Sequence, residues 1–322
     1  MKLFLKYFED TKLIVEKHKW LFISLFIIIM VLFPLYTSNY LIRMFSSIFM
    51  YACLGIAMNI MLGYIGYAAF GNVAFFGLSA YITMVLLNKT NIPLLIIFII
   101  AALVSAMYAI ILGFPILRIR GHYFAIATLG IAEGTREVMS ILEITGGGKG
   151  ISAPILEMSI NSIYRIVYYS FFGLTILSLF ACYYILKKPF GYALRTIRGD
   201  EDVAAGVGIN TTYYKVAAWG ISAFIAGLTG SIFAFWMGYI DPVSVFDGMI
   251  NVKFTVVALL GGLGSVIGPL IGSLLFELIS VFIWEKFLDI HLAVLGIIIM
   301  ITIIFLPRGI MQFLKPQRRH TK

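Results

Sequence analysis

The chain has 322 residues, of which 61% are hydrophobic and only 12% are charged. A soluble domain carries about 25% charged residues, so this composition excludes a soluble globular protein of this length. The net charge of +9 would suit a nucleic-acid partner. Because the basic residues cluster at the chain ends and in turns between apolar runs, we expect no such partner.

Long apolar runs follow one another along most of the chain. About 20 apolar residues span a bilayer as a helix, because each residue rises about 1.5 Å through about 30 Å of hydrocarbon. The runs are continuously apolar, whereas barrel strands alternate with a period of two. They predict an all-α membrane helix bundle with one transmembrane domain over residues 20–306. The runs cover residues 20–35, 41–62, 67–87, 92–117, 123–142, 163–186, 216–237, 252–284 with an interruption, and 291–306.

The first run follows a basic segment, residues 1–19, and this order is also typical of a secretion signal. No small-x-small cleavage site follows Phe33, since Pro34 and Leu35 come next. We therefore expect a retained helix. The two cysteines, Cys53 and Cys182, lie far apart in apolar runs and indicate small buried side chains rather than a disulfide or a metal site.

The positions of the basic residues predict the orientation of the chain. Lysines and arginines concentrate in residues 1–19, in the tail 307–322, in and beside the polar segment 187–215, and at Arg118 and Arg120. The positive-inside rule therefore places both termini in the cytoplasm. The last third must then cross the membrane an odd number of times. We expect about ten crossings, with eight as the alternative if two runs are re-entrant.

Glycines interrupt two of the apolar runs about 200 residues apart, which suggests a weak internal repeat. Broken helices of this kind are found where backbone lines a transporter's central path. Small residues that let helices pack closely are the alternative explanation. The glycines are Gly63, Gly66 and Gly71 in the first run, and Gly261, Gly264, Gly268 and Gly272 in the second.

The polar segment 187–215 is too short for a domain. Apolar residues recur among its charges between Gly191 and Val207, which predicts one or two short amphipathic helices. The acidic residues 200–202 suit a helix start, and Gly206 and Gly208 suit its end. Such a helix either docks a soluble partner or lies on the membrane surface.

Four stretches together resemble the permease subunits of branched-chain amino-acid ABC importers. The polar segment contains ALRTIRGDEDVAAGVGIN. The others are NIMLGYIGYAAFGNVAFFGLSAY (59–81), LRIRGHYFAIATLGIAEGTREV (117–138) followed by TGGGKGI, and LLGGLGSVIGPLIGSLL (259–275). They match in order and spacing across about residues 50–280. Three departures bear on the solute: Asn72 stands where the family often has His, His122 where an acidic residue is common, and Lys149 where an uncharged residue is usual.

The resemblance implies an inverted repeat and transport driven by partners. These partners are two cytoplasmic ATPase subunits that hold ATP and Mg, a second homologous permease and an external substrate-binding protein. Membrane lipid is a further expected partner, because the apolar helices span the bilayer. The chain itself would be a non-catalytic subunit of the bacterial cytoplasmic membrane, without cofactor or metal. The solute would be a branched-chain or related hydrophobic amino acid. Urea, short amides or sugars are the alternatives. Coupling to the ATPases would fall on Arg195, Arg198, Glu201, Ala204, Ala205 and Gly208.

Candidate residues of the translocation path lie in the broken runs and in the fifth helix. Glu133 would lie near the midplane, where a lone charge costs about 2.5–3.5 kcal/mol, so we expect it to face water or to pair with Arg136 three residues on. The pair either lines the path or stabilises helix packing, and Asn59 leaves the same two alternatives open. The full candidate set is Asn59, Gly66, Gly71, Asn72, Glu133, Arg136, Gly261 and Gly264.

Other classes of protein find less support. Residues 146–150 read GGGKG and lack the Ser or Thr of a nucleotide-binding P-loop. The four dispersed histidines predict no metal cluster, and no catalytic constellation stands out. An ion-driven transporter would need titrating carboxylates in the membrane, for which Glu133 and Glu277 are the candidates. Asp241, Pro242 and Asp247 would form an outer turn, which either docks a binding protein or is simply solvated.

Overall fold

A computed structural model describes residues 19–155, 158–286, 296, 300 and 309–311. The basic residues of 1–18, most of the last apolar run and most of the basic tail lie outside these residues. In the described part, helices dominate and the predicted all-α class is confirmed. The long helices are α1 (Lys19–Tyr36), α2 (Asn39–Met58), α3 (Asn72–Lys89), α4 (Leu94–Ile116), α5 (His122–Ile141), α6 (Ile160–Leu186), α9 (Thr211–Met237), α11 (Gly248–Gly261) and α12 (Gly268–Lys286).

Shorter elements connect the long helices. α7 (Pro189–Gly199) and α8 (Glu201–Gly206) form the polar segment between α6 and α9, and α10 (Pro242–Val245) precedes α11. A π-helical segment, Asn59–Ile65, continues α2 without a break. Two 3₁₀ turns, Glu143–Thr145 and Gly147–Lys149, follow α5.

Among the described residues, five stretches are long and apolar enough to cross a membrane: Asn39–Ile65, Leu94–Ile116, Ile160–Leu186, Thr211–Met237 and Pro242–Gly261. The expected number of about ten crossings is therefore not confirmed. The shorter apolar helices over Ile27–Tyr36 and Gly268–Ile283 fall below this length. The predicted interruption of the run 252–284 is confirmed, because α11 ends at Gly261 and α12 begins at Gly268.

Helix α9 lies at the centre of the bundle and packs against α2, α3, α4 and α6. Its Trp219 is fully buried and meets Phe75 and Phe124 edge to face, with ring centroids 5.4 and 5.8 Å apart. At Gly230 a β-carbon would clash with the carbonyl of Phe76 in α3. Small residues therefore bring the backbones of α3 and α9 into close contact, as is common in membrane bundles.

A two-stranded antiparallel sheet closes one end of the bundle, which we call the sheet end. β1 (Ile151–Ser152) pairs with β2 (Tyr239–Ile240), with Ile151 opposite Ile240. Gly150 precedes β1 with φ of 77°, and a β-carbon there would clash with the carbonyl of Ile240. The opposite end carries α7 and α8, and we call it the loop end.

Candidate functional site

The polar segment at the loop end forms two helices, as predicted. Asp200 separates them, and its carboxylate accepts hydrogen bonds from the backbone N–H groups of Asp202 at 2.8 Å and Val203 at 3.0 Å. This N-cap explains why α8 begins at Glu201. On α7, Leu194 and Ile197 are buried against the bundle. The segment is therefore a folded part of the protein and not a free linker.

Glu201 joins α8 to three other parts of the chain. One carboxylate oxygen accepts a hydrogen bond from the ammonium of Lys215 at 2.6 Å, and the other accepts from the hydroxyl of Tyr67 at 2.5 Å. Arg120 adds an ion pair at 3.6 Å. Lys215 is almost fully buried and also donates to the carbonyl of Leu117 at 2.6 Å. We call Glu201, Lys215, Tyr67 and Arg120 the anchor cluster.

The anchor cluster determines the charge state of Glu201. Partial burial raises the pKa of this carboxyl, but the hydrogen bonds from Lys215 and Tyr67 and the positive charges of Lys215 and Arg120 lower it more. The net pKa lies below the ordinary value, so the carboxylate is charged at neutral pH. The structure places Glu201, one of the predicted coupling residues, against the bundle, with its side chain 12% exposed.

Two arginines of α7 point towards the π-helical segment. Arg198 donates a hydrogen bond to the carbonyl of Gly63. Its side chain also approaches Gly66, whose φ of 88° ends the π segment. Arg195 lies 5.9 Å from the ring centroid of Tyr64, which is cation–π distance. Both predicted coupling arginines thus contact the first glycine-broken segment.

The remaining coupling candidates differ in their exposure to solvent. Ala204 is fully buried, whereas Ala205 and Gly208 are exposed. Beside them Val203 and Val207 expose 58% and 68% of their surface. α8 and the residue that follows it therefore expose a small apolar surface, formed by Val203, Ala205 and Val207.

Asn59 connects the two glycine-broken segments. Its amide nitrogen donates to the carbonyl of Ser265 at 2.8 Å, and its amide oxygen accepts from the N–H of Gly264 at 2.8 Å. Gly264 has φ of 77°, which a residue with a side chain adopts rarely. The amide thus satisfies backbone groups that the break between α11 and α12 leaves without helical partners. We call this contact the amide bridge.

Asn72 also binds helices together. It donates to the hydroxyl of Ser222 at 3.1 Å and accepts from the indole N–H of Trp219 at 3.1 Å. A β-carbon at Gly71 would clash with the carbonyl of Thr128 in α5. At Gly261 it would clash with the carbonyl of Gly268. These three path candidates lie at helix contacts in the interior.

Glu133 and Arg136 form the predicted ion pair, with 2.8 Å between the carboxylate and the guanidinium. Their side chains remain 56% and 32% exposed. The outer face of α5 is open around them, because Tyr123, Ile126 and Leu129 are also exposed. The ion pairs of Arg136 lie within α5, whereas the amide bridge joins the π segment to the break before α12.

The cysteines and the acidic residues of the outer turn take simple structural roles. Cys53 and Cys182 are buried and unpaired with one another. Asp241 and Asp247 cap α10 and α11 at the sheet end by accepting backbone N–H bonds from Val243 and Met249. Within the described residues, no three His, Cys, Asp or Glu side chains come close enough to hold a metal ion.

Sequence reasoning missed Lys215 and Tyr67 as members of the site. Lys215 has one visible signal, since it immediately precedes the apolar run 216–237 and a lysine there must reach a partner or water. Tyr67 has none, because it lies 134 residues from Glu201 in the chain.

Comparison with known proteins gives consistent matches. A family model described as branched-chain amino acid transport system / permease component matches residues 40–303. The chain is 30% identical to the high-affinity branched-chain amino acid transport system permease protein LivM of Salmonella typhimurium, covering 92% of this chain and 76% of that protein. LivM of Escherichia coli is 29% identical with the same coverage. LivH of Salmonella typhimurium is 28% identical over 57% of this chain and 58% of that protein. No solved structure matches.

Proposed function

Since the chain belongs to the family of permease components of branched-chain amino acid transport systems, we propose that it conducts branched-chain or related hydrophobic amino acids across the membrane. It is a multi-pass transport subunit of an ABC importer. Relatives of two kinds, LivM and LivH, match the chain, which indicates a pair of permeases in one transporter. ATP and Mg would be held by separate ATPase subunits.

We place the loop end in the cytoplasm and the sheet end outside. The long helices alternate in direction between these ends, which supports ten crossings if the run 291–306 forms the last. The amide bridge supports an inverted repeat, because it joins broken segments 205 residues apart. Both termini would then be cytoplasmic, as the basic residues predict.

The outer surface of α8 is the proposed docking site for an ATPase subunit. Val203, Ala205 and Val207 are exposed there, while the anchor cluster holds the other side of α8 to the bundle. A partner that pushes on α8 would therefore move α9 and the turn around Arg120 with it. An external binding protein would deliver the solute at the sheet end.

The observation that carries this proposal is the hydrogen bond from Arg198 to the carbonyl of Gly63. It links the docking segment to the π segment that contains Asn59, and Asn59 in turn bonds to the second broken segment. Displacement of α7 would thus reach both broken segments through two hydrogen-bonded contacts. Such a linkage is what an ATP-driven permease requires and an ion-driven transporter does not.

We predict that Arg198→Ala lowers the rate of amino-acid uptake at least tenfold while ATP hydrolysis by the assembled transporter continues. The reason is that docking and hydrolysis remain intact but their effect on the π segment is lost. Uptake and hydrolysis are measured together in proteoliposomes with loaded binding protein. Arg118→Ala, at an exposed arginine of the same end, is the control and should transport normally. Uptake that persists without any ATPase subunit would refute the proposed function.

We further predict that Glu133→Gln impairs transport while the complex assembles normally, if the open face of α5 lines the path. The pair with Arg136 is exposed, and its loss should cost under about 1 kcal/mol of stability. Transport and size-exclusion profiles of the complex are compared with those of Glu143→Gln, an exposed carboxylate beyond the end of α5. Failure to assemble would favour a role in packing.

A further inference from the structure

A polar cavity of about 410 Å³ lies between α2, α11 and α12. It is lined by Tyr40, Ser47 and Tyr51 of α2, Lys253 of α11, and Glu277 and Ser280 of α12. Three packed helices contribute to it, since α2, α11 and α12 all contact one another. The cavity falls within the range of about 300–1,000 Å³ typical of small-molecule sites.

The cavity is lined by an acidic side chain, Glu277, and a basic one, Lys253, in helices that we place in the membrane. Ionisable residues are rare in such helices because hydrocarbon solvates charge poorly, and they usually mark a functional site. The carboxylate of Glu277 interacts with Ser47 and with the charge of Lys253. Yet among the ion pairs within 4.0 Å in the described part of the chain, none joins Glu277 to Lys253. An acid and a base therefore face one cavity without direct contact.

This arrangement is complementary to a ligand that carries both charges. The carboxylate of Glu277 would bind an ammonium group, with the Ser47 hydroxyl as a second acceptor. Lys253 would bind an anionic oxygen, to which Ser280 can donate. Two tyrosine rings line the same space, and aromatic faces attract ammonium groups.

The cavity also lies where a solute from the sheet end would enter. Tyr40 is the second residue of α2, and Tyr51 lies eleven residues further along, about 17 Å towards the loop end. The side of the cavity that α2 lines therefore begins at the sheet end and extends about three helical turns into the bundle.

We propose that this cavity is a binding site for a zwitterion that bears a primary ammonium and an anionic oxygen. Two ligands have this chemistry: a free amino acid in transit, whose assignment rests on the proposed function, and the headgroup of an ethanolamine phospholipid. An amino acid bound here would occupy a site between delivery at the sheet end and release at the loop end.

The test measures binding of radiolabelled leucine to the transporter, assembled from full-length subunits in nanodiscs of phosphatidylglycerol without binding protein. Saturable binding should weaken at least tenfold in Glu277→Gln and in Lys253→Gln. Leucinol, which lacks the carboxylate, and 4-methylpentanoate, which lacks the ammonium, should compete at least tenfold less well than leucine. Glu143→Gln and Lys89→Gln, exposed charges outside the cavity, are matched controls and should bind as the unmodified protein does.

Two further variants keep the test decisive if a single charge change prevents assembly. The exchange of Glu277→Lys together with Lys253→Glu should recover binding that either reversal alone abolishes. Ser280→Ala removes one donor without changing charge and should weaken binding about threefold. Equal binding of leucine, leucinol and 4-methylpentanoate, or unchanged leucine binding in both Gln variants, would overturn the proposal.

A second arm identifies the source of the zwitterion. Nanodiscs that contain phosphatidylethanolamine should leave leucine binding unchanged if the site serves the solute. If instead ethanolamine lipid is retained in native mass spectra, is lost in Glu277→Gln, and excludes leucine, the zwitterion is the lipid headgroup. If zwitterion binding depends on both charges but the transporter takes up no amino acid, the site stands and the proposed function fails.

Discussion

Lys215→Met should destabilise the protein by about 3–5 kcal/mol, because it removes the buried partner of a carboxylate that is only 12% exposed. The change leaves Glu201 against the bundle and also removes the donor to the carbonyl of Leu117. The polar segment should then detach from α9, and transport should be lost with it. Equilibrium unfolding in mixed detergent micelles measures the change in free energy.

Two controls distinguish the cost of leaving the Glu201 charge unpaired from the cost of losing an ordinary ion pair. Lys215→Met combined with Glu201→Gln should recover part of the stability, since no unpaired charge remains. Asp202→Asn breaks the ion pair with Arg120. The side chain of Arg120 is 55% exposed and that of Asp202 is 77% exposed, so this change should cost under about 1 kcal/mol of stability. Equal losses in Lys215→Met and Asp202→Asn would contradict the assignment of Lys215 as the main anchor.

The anchor cluster also predicts a pH dependence. The pKa of Glu201 is lowered in the folded protein, so its contribution to stability is present above the ordinary pKa of 4.5 and is lost as the pH falls through the folded value. The difference in free energy of unfolding between the unmodified protein and Lys215→Met should therefore shrink as the pH falls below 4.5 and through the lower pKa of the folded protein.

Asn59→Leu should cost at least about 2 kcal/mol of stability and abolish transport. It removes both hydrogen bonds of the amide bridge and leaves the N–H of Gly264 and the carbonyl of Ser265 without these partners. Each unsatisfied buried polar group costs about 1–3 kcal/mol. The measurement is unfolding in mixed micelles together with uptake in proteoliposomes.

A second buried asparagine supplies the matched control. Asn251 is 1% exposed, and neither polar atom of its amide has a hydrogen-bond partner within the described chain. Asn251→Leu removes a polar group without breaking a bond, so its stability should change by less than about 0.5 kcal/mol or rise. If Asn59→Leu is as stable as Asn251→Leu but cannot transport, Asn59 contacts the solute instead of joining the broken segments.

Features determined by neighbouring residues were predictable from the sequence. The apolar runs indicated the long helices, and the glycines after Leu260 indicated the break before α12. The acidic residues at 200–202 indicated the start of α8. The pair of Glu133 with Arg136 follows from their spacing of three on one helix, which brings side chains together whatever the rest of the fold does.

Contacts between distant parts of the chain were not predictable in this way. Asn59 was a candidate for the path or for packing, and only the fold reveals that its partners are Gly264 and Ser265. Glu201 was named as a coupling residue from the family resemblance, which says nothing about its partners. Its burial depends on Lys215 and Tyr67, which reach it from other elements. Spacing along one sequence carries no information about such pairs.

The π segment that follows α2 has a mechanical consequence. Gly63 lies in the last turn of the π segment, where backbone carbonyls have no later residue in the helix to bind. The bond from Arg198 can therefore open and close without unwinding a single helical turn. This contact can break and re-form in every transport cycle at the cost of one hydrogen bond, while the rest of the bundle keeps its shape.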